Sequence, residues 1–198
     1  MAYRRPKTAS GARSTPYIAG MISYTLFDTA IGWAGLAWND SGLVGAHLPE
    51  REPDAARRSF LRRFPEAIEA KAPDALAPVI EGVRALMRGE KADLSAAVLD
   101  IDRVPAFNAQ VYEIARRIPP GETLTYGEIA TQLGDRLLAR DVGAALGQNP
   151  WPIIVPCHRV TAAGGKLGGF SARGGARTKL KLLAIEGAPA AAQAELFG

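Results

Sequence analysis

The sequence predicts an α/β (α+β) fold in which a small N-terminal antiparallel sheet with helices is followed by a mainly helical C-terminal domain with a helix-turn-helix. Apolar residues alternate along short segments between residues 21 and 48 and recur at helical spacing after residue 55. A hydrophobic content of 47% in 198 residues is enough for an ordinary core. We expect a tail at 1–18, a supporting α/β domain at 19–100, a second domain at 101–188 and a tail at 189–198.

Composition narrows the classes of function. The net charge of +4 and the pI of about 9.4 suit a polyanionic partner. One cysteine and two histidines provide neither a disulfide framework nor a zinc cluster, so we expect no metal and no cofactor. No run approaches the ~18 to 20 consecutive apolar residues of a membrane span, and the amino terminus lacks a signal pattern. We therefore expect no membrane partner and a cytoplasmic location, where reducing conditions keep the cysteine reactive.

The N-terminal part begins with a tail and continues as a meander. Residues 1–18 combine four basic side chains with Ser, Thr, Gly and Pro and contain too few apolar residues to fold, which predicts a disordered basic tail. Apolar residues at 22–27, 31–38 and 43–48 predict three strands, and the turn residues between them are typical of an antiparallel sheet.

Two helices and an edge strand complete the supporting part. Residues 55–64 place four arginines around an apolar stripe, which predicts a helix with a solvated basic face. Apolar residues from Leu76 to Met87 have helical spacing and stop before Gly89, which predicts a helix that faces the core. Residues 96–101 are consistent with an edge strand. None of these segments indicates catalytic chemistry, so we expect them to support the rest of the chain.

The C-terminal part has three predicted helices before its most unusual stretch. Pro105 opens a helix with one apolar face that ends at a Pro-Pro-Gly sequence. Thr125 and Glu128 form a capping-box pattern for a short helix at 127–133, and a Gly-Asp break separates it from a second helix at 138–147. Two short helices joined by a Gly-containing turn predict a helix-turn-helix, although short helical hairpins also occur in proteins that bind no DNA.

The only cysteine follows a short apolar run. Residues 153–155 predict a buried strand that Pro156 stops, so that Cys157 is held at a sharp turn with His158 next to it. A thiol needs a base because the thiolate is the nucleophile, and His158 is the obvious base, through a turn or a water. Taken alone, the pair leaves three other interpretations open: a small buried hydrophobe, a Cys-His hydrolase and a thiol-redox protein without its resolving cysteine.

The surrounding motifs favour one family. Several separated matches in fixed order are more specific than one short motif, and here they extend from about residue 100 to 187. On these residues the chain resembles the O6-alkylguanine-DNA alkyltransferases, which are the methylated-DNA–protein-cysteine methyltransferases. The matching motifs are Pro105-Ala106-Phe107, Tyr126-Gly127-Glu128-Ile129-Ala130, Arg140-Asp141-Val142-Gly143, Asn149-Pro150, Pro156-Cys157-His158-Arg159 and Ile185-Glu186-Gly187.

The resemblance implies a chemistry for four residues. Cys157 would attack the alkyl carbon of O6-alkylguanine, or of O4-alkylthymine, and His158 would act as its base. Glu186 would hold the imidazole, which agrees with its position in the last turn of a helix, where the helix dipole disfavours an acidic group without a partner. Asn149 would brace the turn that carries the thiol. The product is a thioether with no second cysteine to remove the alkyl group, so each molecule would react once.

The resemblance also implies the partner. The second helix of the pair would enter the minor groove of double-stranded DNA carrying O6-alkylguanine, and we expect a monomer to bind it. Arg140 would fill the gap left by the extruded nucleotide, and Tyr126 would turn the adjacent phosphate and contact the base. The small residues Ala139 and Gly143 permit close approach to the groove. A regulator that binds damaged DNA without reacting is the alternative, and Cys157 argues against it.

The segment after the cysteine departs from the family pattern. Phe170 stands where many relatives have tyrosine, and two extra residues precede the last helix. We expect Phe170 and Val155 to line the substrate pocket and the backbone N–H of Ser171 to bind the guanine oxygen. The missing phenolic hydroxyl leaves the range of alkyl groups open.

Overall fold

The computed structural model describes residues 21–191, so the predicted tail at 1–18 and residues 192–198 of the second tail lie outside it. Three long strands are antiparallel neighbours, as predicted: β1 (Ser23–Thr29), β2 (Gly32–Asn39) and β3 (Gly42–Glu50). A two-residue strand, β4 (Ile68–Glu69), pairs parallel with β1, and the order is β3-β2-β1-β4. The N-terminal sheet is therefore mixed rather than purely antiparallel.

Six helices lie entirely within the described residues, and they confirm a mainly helical second half; residues 189–191, which we assigned to the second tail, are also helical. They are α1 (Pro53–Arg63), α2 (Ala77–Met87), α3 (Ala106–Arg116), α4 (Tyr126–Gln132), α5 (Ala139–Gly147) and α6 (Gly175–Ile185). Strands β5 (Leu124–Thr125) and β6 (Val160–Thr161) form a small parallel sheet. Short 3₁₀ turns cover Asp74–Leu76, Ile101–Arg103, Arg136–Leu138 and Cys157–Arg159. Between residues 21 and 191, none of the helices has the length and apolarity to cross a membrane.

Helix α1 packs against the sheet through aromatic residues. The rings of Tyr24 and Phe60 stack with their centroids 5.0 Å apart, and Phe60 is buried. A Cβ atom at Gly35 would lie 2.9 Å from the side chain of Leu26 and 3.0 Å from the ring of Phe60. Glycine at this position therefore allows the helix to approach the strands closely.

The predicted edge strand at 96–101 is wrong. Only one residue, Leu99, forms a bridge, and its partner is Leu43 at the start of β3. The backbone N–H of Leu43 donates to Val98, and that of Asp100 donates to Leu43, after which the chain turns into the 3₁₀ segment Ile101–Arg103. The apolar alternation in this segment is real, but the turn ends the pairing before a strand can form.

One hydrophobic core joins both halves of the chain. Its buried members include Leu36 and Leu86 from the first half and Val111, Ile129 and Val155 from the second. Trp151 is completely buried, and its Nε1–H donates to the carbonyl oxygen of Leu43 at 2.7 Å. The sheet therefore packs directly on the segment that leads to Cys157.

Helix α3 fixes the position of α5. The hydroxyl of Tyr112, which is fully buried, donates to the carbonyl oxygen of Ala145 at 2.8 Å. The amide of Asn108 donates to Gln148 at 3.1 Å, just past the end of α5. Tyr112 also meets the ring of Trp151 edge to face at 6.0 Å. The same aromatic pair thus supports the second helix of the helix-turn-helix and the turn before the cysteine.

We predict that Tyr112→Phe lowers the free energy of unfolding by about 1 kcal/mol, the typical contribution of one buried hydrogen bond. The loss stays small because the carbonyl of Ala145 still accepts from the backbone N–H of Gln148. Urea unfolding of both proteins measures the difference. A variant as stable as the wild type would show that the hydroxyl does not hold α5 in place.

Candidate active site

The residues before Cys157 form a turn, not the predicted strand. Ile153 has a positive φ of 76°, and Pro152 bridges to Val155 only three residues later. The backbone N–H of Val155 donates to the carbonyl of Trp151 at 2.7 Å. The apolar run is buried as predicted, but it folds back on itself and continues into a 3₁₀ turn that begins at Cys157. A β-branched residue at positive φ is strained, so the surrounding contacts must impose this conformation.

Asn149 closes this turn from inside. Its Oδ1 accepts from the backbone N–H of Trp151 at 2.9 Å, and its Nδ2 donates to the carbonyl of Val155 at 2.8 Å. Its side chain also forms a hydrogen bond with the thiol of Cys157. One amide thus links the start, the middle and the reactive end of the turn.

The Cys157 thiol is partly accessible and lines a cavity of about 550 Å³. Burial raises the pKa of the thiol, while the hydrogen bond from Asn149 and the positive charge of Lys179 act to lower it. Because the raising effect dominates, the thiol is protonated at rest. A nucleophilic role therefore requires a base close by.

His158 is completely buried behind the cysteine. Its Nε2 lies 3.0 Å from Oε1 of Glu186, while Nδ1 has no hydrogen-bond partner within residues 21–191. Burial lowers the pKa of the imidazole against the opposing effect of Glu186, so the ring is neutral at rest. Since the carboxylate is an acceptor, we assign the ring proton to Nε2, which leaves Nδ1 with a free lone pair.

Glu186 is held by two residues at once. Arg159 donates from Nε at 3.0 Å and from Nη2 at 2.7 Å to the two carboxylate oxygens, while its Nη1 donates to the carbonyl of Ile118. Burial alone would raise the pKa of Glu186, but the hydrogen bonds and charges of His158 and Arg159 lower it to about 2. The partner predicted for Glu186 is present, and Arg159 is an additional one that the sequence analysis missed.

Lys179 is a second residue that the sequence analysis missed. It is fully buried on α6, and its Nζ donates to the carbonyls of Val160 and Gly169. Burial lowers the pKa of its ammonium group to about 8, and the ionised form of Cys157 opposes this shift. A lysine within a helix normally suggests an exposed position. The spacing to Leu182 and Leu183, three and four residues later, was the available sign that it lies on the buried face.

The cavity brings together most of the predicted binding residues. Its lining consists of Tyr126, Ala139, Arg140, Gly143, Leu146, Gly147, Cys157, Gly169, Phe170 and Ser171. Helices α4 and α5 form one wall, and the segment after β6 forms the other. The geometry thus places the thiol in the lining of a space bounded on one side by the helix-turn-helix.

Val155 does not line this cavity. It is completely buried, and its carbonyl oxygen accepts from the side chain of Asn149. The turn at residues 152–155 directs this residue into the core, whereas the strand that we predicted would have placed it beside the thiol. Its position supports the turn and gives it no contact with the cavity.

The first helix of the pair is defined by its cap. The hydroxyl of Thr125 accepts from the backbone N–H of Glu128 at 3.1 Å, and the Glu128 carboxylate accepts from the backbone N–H of Thr125 at 2.6 Å. This is the predicted capping box. Tyr126 follows immediately, and its hydroxyl donates to the carbonyl of Gly169 at 3.2 Å. A Cβ atom at Gly168, where φ is +71°, would lie 2.8 Å from the tyrosine ring, so glycine allows this contact.

Comparison with known proteins gives consistent matches. Residues 106–188 match the family described as 6-O-methylguanine DNA methyltransferase, DNA binding domain. The methylated-DNA–protein-cysteine methyltransferase of Mycolicibacterium paratuberculosis is 37% identical over 177 residues, which cover 89% of this chain and 99% of the relative. A DNA base-flipping protein of Thermus thermophilus is 40% identical over 139 residues, 70% of this chain and 91% of that protein.

Solved structures agree with these relatives. The crystal structure of Mycobacterium tuberculosis OGT in complex with DNA has a TM-score of 0.65 and 36% identity, and the match covers 87% of this chain and 98% of that one. The crystal structure of the O6-methylguanine methyltransferase of the same organism has the same TM-score and identity and covers 90% and 100%. The similarity therefore includes both the sheet and the helical part.

We predict that Glu186→Gln changes the pH dependence of stability. The pKa of the folded-state carboxyl is about 2, below its ordinary value of 4.5. The ionised group therefore contributes stability that is complete above about pH 5 and is lost as the pH falls toward 2. The wild-type free energy of unfolding should fall more steeply across this window than that of the variant. Urea unfolding at a series of pH values measures both, and parallel curves would contradict the assigned pairing.

Proposed function

This chain belongs to the methylated-DNA–protein-cysteine methyltransferase family, and we propose that it repairs DNA by moving the alkyl group of O6-alkylguanine onto Cys157. The observation that carries the proposal is the shared cavity. Cys157 lines this cavity, and Tyr126 and Arg140 of the helix-turn-helix line the same space. A reactive thiol and a DNA-binding motif that meet at one cavity fit a reaction on an extruded base.

The chemistry begins with the thiol proton. Nδ1 of His158 takes this proton, through a water, and the Glu186 carboxylate at Nε2 stabilises the imidazolium that forms. The buried ammonium group of Lys179 stabilises the thiolate, since its pKa of about 8 keeps it mostly charged at neutral pH. His158 thus supplies the base that removes the thiol proton, and Lys179 supplies a positive charge that stabilises the thiolate.

The transfer itself is a single displacement. The thiolate forms a bond to the alkyl carbon while the bond from that carbon to O6 breaks, and the electron pair leaves with guanine. The proton held by His158 returns to the base, so neutral guanine is released. The backbone N–H of Ser171 and the hydroxyl of Tyr126 are the proposed donors to the base as the oxygen leaves.

The product explains why the protein reacts once. Alkylated Cys157 is a thioether, and the chain contains no other cysteine to accept the group. The displacement needs no cofactor because the substrate carries both the electrophile and the leaving group. The protein is thus a transferase by reaction and a stoichiometric reagent by kinetics.

Helix α5, which forms part of the cavity wall, is the proposed DNA-binding element. Double-stranded DNA would present its minor groove to this helix, where Ala139 and Gly143 leave room for the backbone to approach. Arg140 is exposed at the edge of the cavity and would occupy the space left by the extruded nucleotide. A volume of about 550 Å³ is within the range of pockets that hold small molecules, so an alkylated guanine or thymine fits.

The remaining proposals concern Phe170, the roles of the two domains, the oligomeric state and the location. Phe170 would form an apolar wall for the alkyl group, without the hydroxyl of a tyrosine. All residues that line the cavity lie in the proposed domain at 101–188, which leaves residues 19–100 as support. A single chain contains every residue of the proposed mechanism, so we propose that it acts as a monomer. We propose a cytoplasmic location because reducing conditions there keep Cys157 reactive.

One relative favours a second candidate. The Thermus thermophilus relative is a DNA base-flipping protein, so the second candidate for this chain is base flipping in damaged DNA without alkyl transfer. Cys157 argues against this alternative, because it lies in the cavity beside Lys179 and His158. A Cys-His hydrolase is the remaining enzyme alternative, and it would not react with alkylated DNA.

We predict that incubation with duplex DNA containing O6-methylguanine adds the mass of one methyl group to the protein. Intact-mass analysis followed by peptide mapping should place the group on Cys157, and the amount transferred should not exceed one per chain. Cys157→Ala is the control and should bind the DNA without a mass change. Binding without modification of the wild type would favour the base-flipping alternative, and no binding at all would leave the hydrolase.

We predict that Arg140→Ala slows methyl transfer from duplex DNA by about tenfold or more, because extrusion costs a few kcal/mol and the arginine offsets part of it. Transfer from the free O6-alkylguanine base should be nearly unchanged, since no base has to leave a helix. Single-turnover rates on the two substrates give the comparison. Equal losses on both would show that Arg140 acts on the chemistry and not on extrusion.

A further inference from the structure

We propose that Leu137 is an apolar DNA contact that enters the minor groove next to Arg140. This inference rests on the proposed function, because it assigns a further residue to the same DNA-binding surface. Leu137 is 87% exposed, more than any other large hydrophobic residue that is exposed in residues 21–191. Packing within the described chain therefore does not explain a leucine at this position.

The backbone holds Leu137 in a fixed place. It lies in the 3₁₀ turn Arg136–Leu138, which continues directly into α5. The carboxylate of Asp135 accepts from the backbone N–H of Leu137 at 2.8 Å and so caps the turn. The neighbouring Leu138 is half-buried and packs against the core. One leucine of the pair thus anchors the turn, and the other is presented outward.

Leu137 shares a face with the proposed extrusion residue. Leu137 and Arg140 are three positions apart in continuous helical backbone, so their side chains lie on the same side. The separation along the axis is roughly 5 Å, from the rise per residue of 3₁₀ and α-helices. Base pairs are spaced by about 3.4 Å along DNA. With the axis of α5 along the groove, Leu137 would contact the step next to the one that Arg140 occupies.

The surroundings indicate DNA rather than a protein as the partner. Exposed Arg136 and Arg140 lie on either side of the leucine in sequence, and the surface continues into the cavity through Ala139. The walls of the minor groove expose the apolar C–H groups of deoxyribose, and architectural proteins insert leucine and similar residues between base steps there. An apolar side chain between two cations suits this groove and would help to keep the strands apart while the base is outside.

Salt dependence distinguishes this contact from an electrostatic one. Each lysine or arginine that neutralises a phosphate releases counterions, which makes affinity fall with salt concentration. An apolar contact releases none. Removing Leu137 should therefore weaken binding by the same factor at every salt concentration, whereas removing a cation that binds phosphate should also reduce the slope.

The test measures binding of duplex DNA containing O6-methylguanine to full-length protein in the Cys157→Ala background, between about 50 and 200 mM salt. We expect Leu137→Ala to weaken binding roughly tenfold with an unchanged slope, the effect of losing part of one buried leucine. Val98→Ala is the matched control, because Val98 is also an exposed apolar residue (68%) but lies before α3 and away from the cavity lining. It should bind DNA like the parent protein.

Two further measurements distinguish a failure of the Leu137 proposal from a failure of the proposed function. With Cys157 intact, Leu137→Ala should keep the melting temperature and the rate of transfer from free O6-alkylguanine base, since the side chain touches neither the core nor the thiol. Unchanged DNA affinity, or an equal loss with the free base, would overturn the proposal. The proposal would also be overturned if the wild type were a dimer and Leu137→Ala dissociated it, because the leucine would then contact a second copy of the chain. Failure of the wild type to accept a methyl group would refute the proposed function and leave the binding result standing.

Discussion

The structure depends on one buried carboxylate. Glu186 accepts hydrogen bonds from His158 and Arg159 and lies close to the backbone N–H of Gly121. Removing a carboxylate from water is costly, and a buried ion pair is tolerated only where good geometry satisfies the remaining oxygen lone pairs. Here Arg159 forms a bidentate contact through Nε and Nη2, and its Nη1 donates a hydrogen bond to the carbonyl of Ile118. The end of α6, the end of α3 and the cysteine turn thus meet at one charge.

The same arrangement controls the charge around the thiol. At rest the imidazole is neutral and the thiol is protonated, because burial disfavours the charged form of each. The positive groups nearby are Arg159, which is occupied by Glu186, and Lys179, which is bound to two carbonyls. Within residues 21–191 Lys179 forms no salt bridge, so no ion pair has to break before its ammonium group can stabilise a developing negative charge. This arrangement suits the proposed reaction, in which the thiolate anion exists only transiently.

The sequence predicted much of the fold because local rules and packing agreed. The meander, the capping box at Thr125 and the ends of α3 and α5 follow from turn residues, capping and helical spacing. Residues 153–155 show where such rules fail. A short apolar run is compatible with a strand or a buried turn, and a side-chain clamp from Asn149 and a positive φ at Ile153 decide the outcome. Neither can be read from periodicity.

The functional site was likewise only partly predictable from the sequence. The motif residues that surround the cavity come from separated segments, and only the resemblance to a family connected them before the structure placed them side by side. Arg159 and Lys179 were missed because their roles depend on burial. In sequence both look like ordinary surface cations, yet the fold buries each of them against carbonyls or a carboxylate. A charged residue whose spacing places it on the apolar face of a helix is therefore a candidate for the active site. Lys179, in register with Leu182 and Leu183, meets that criterion, and the thiolate that forms in the proposed reaction is the charge that it would stabilise.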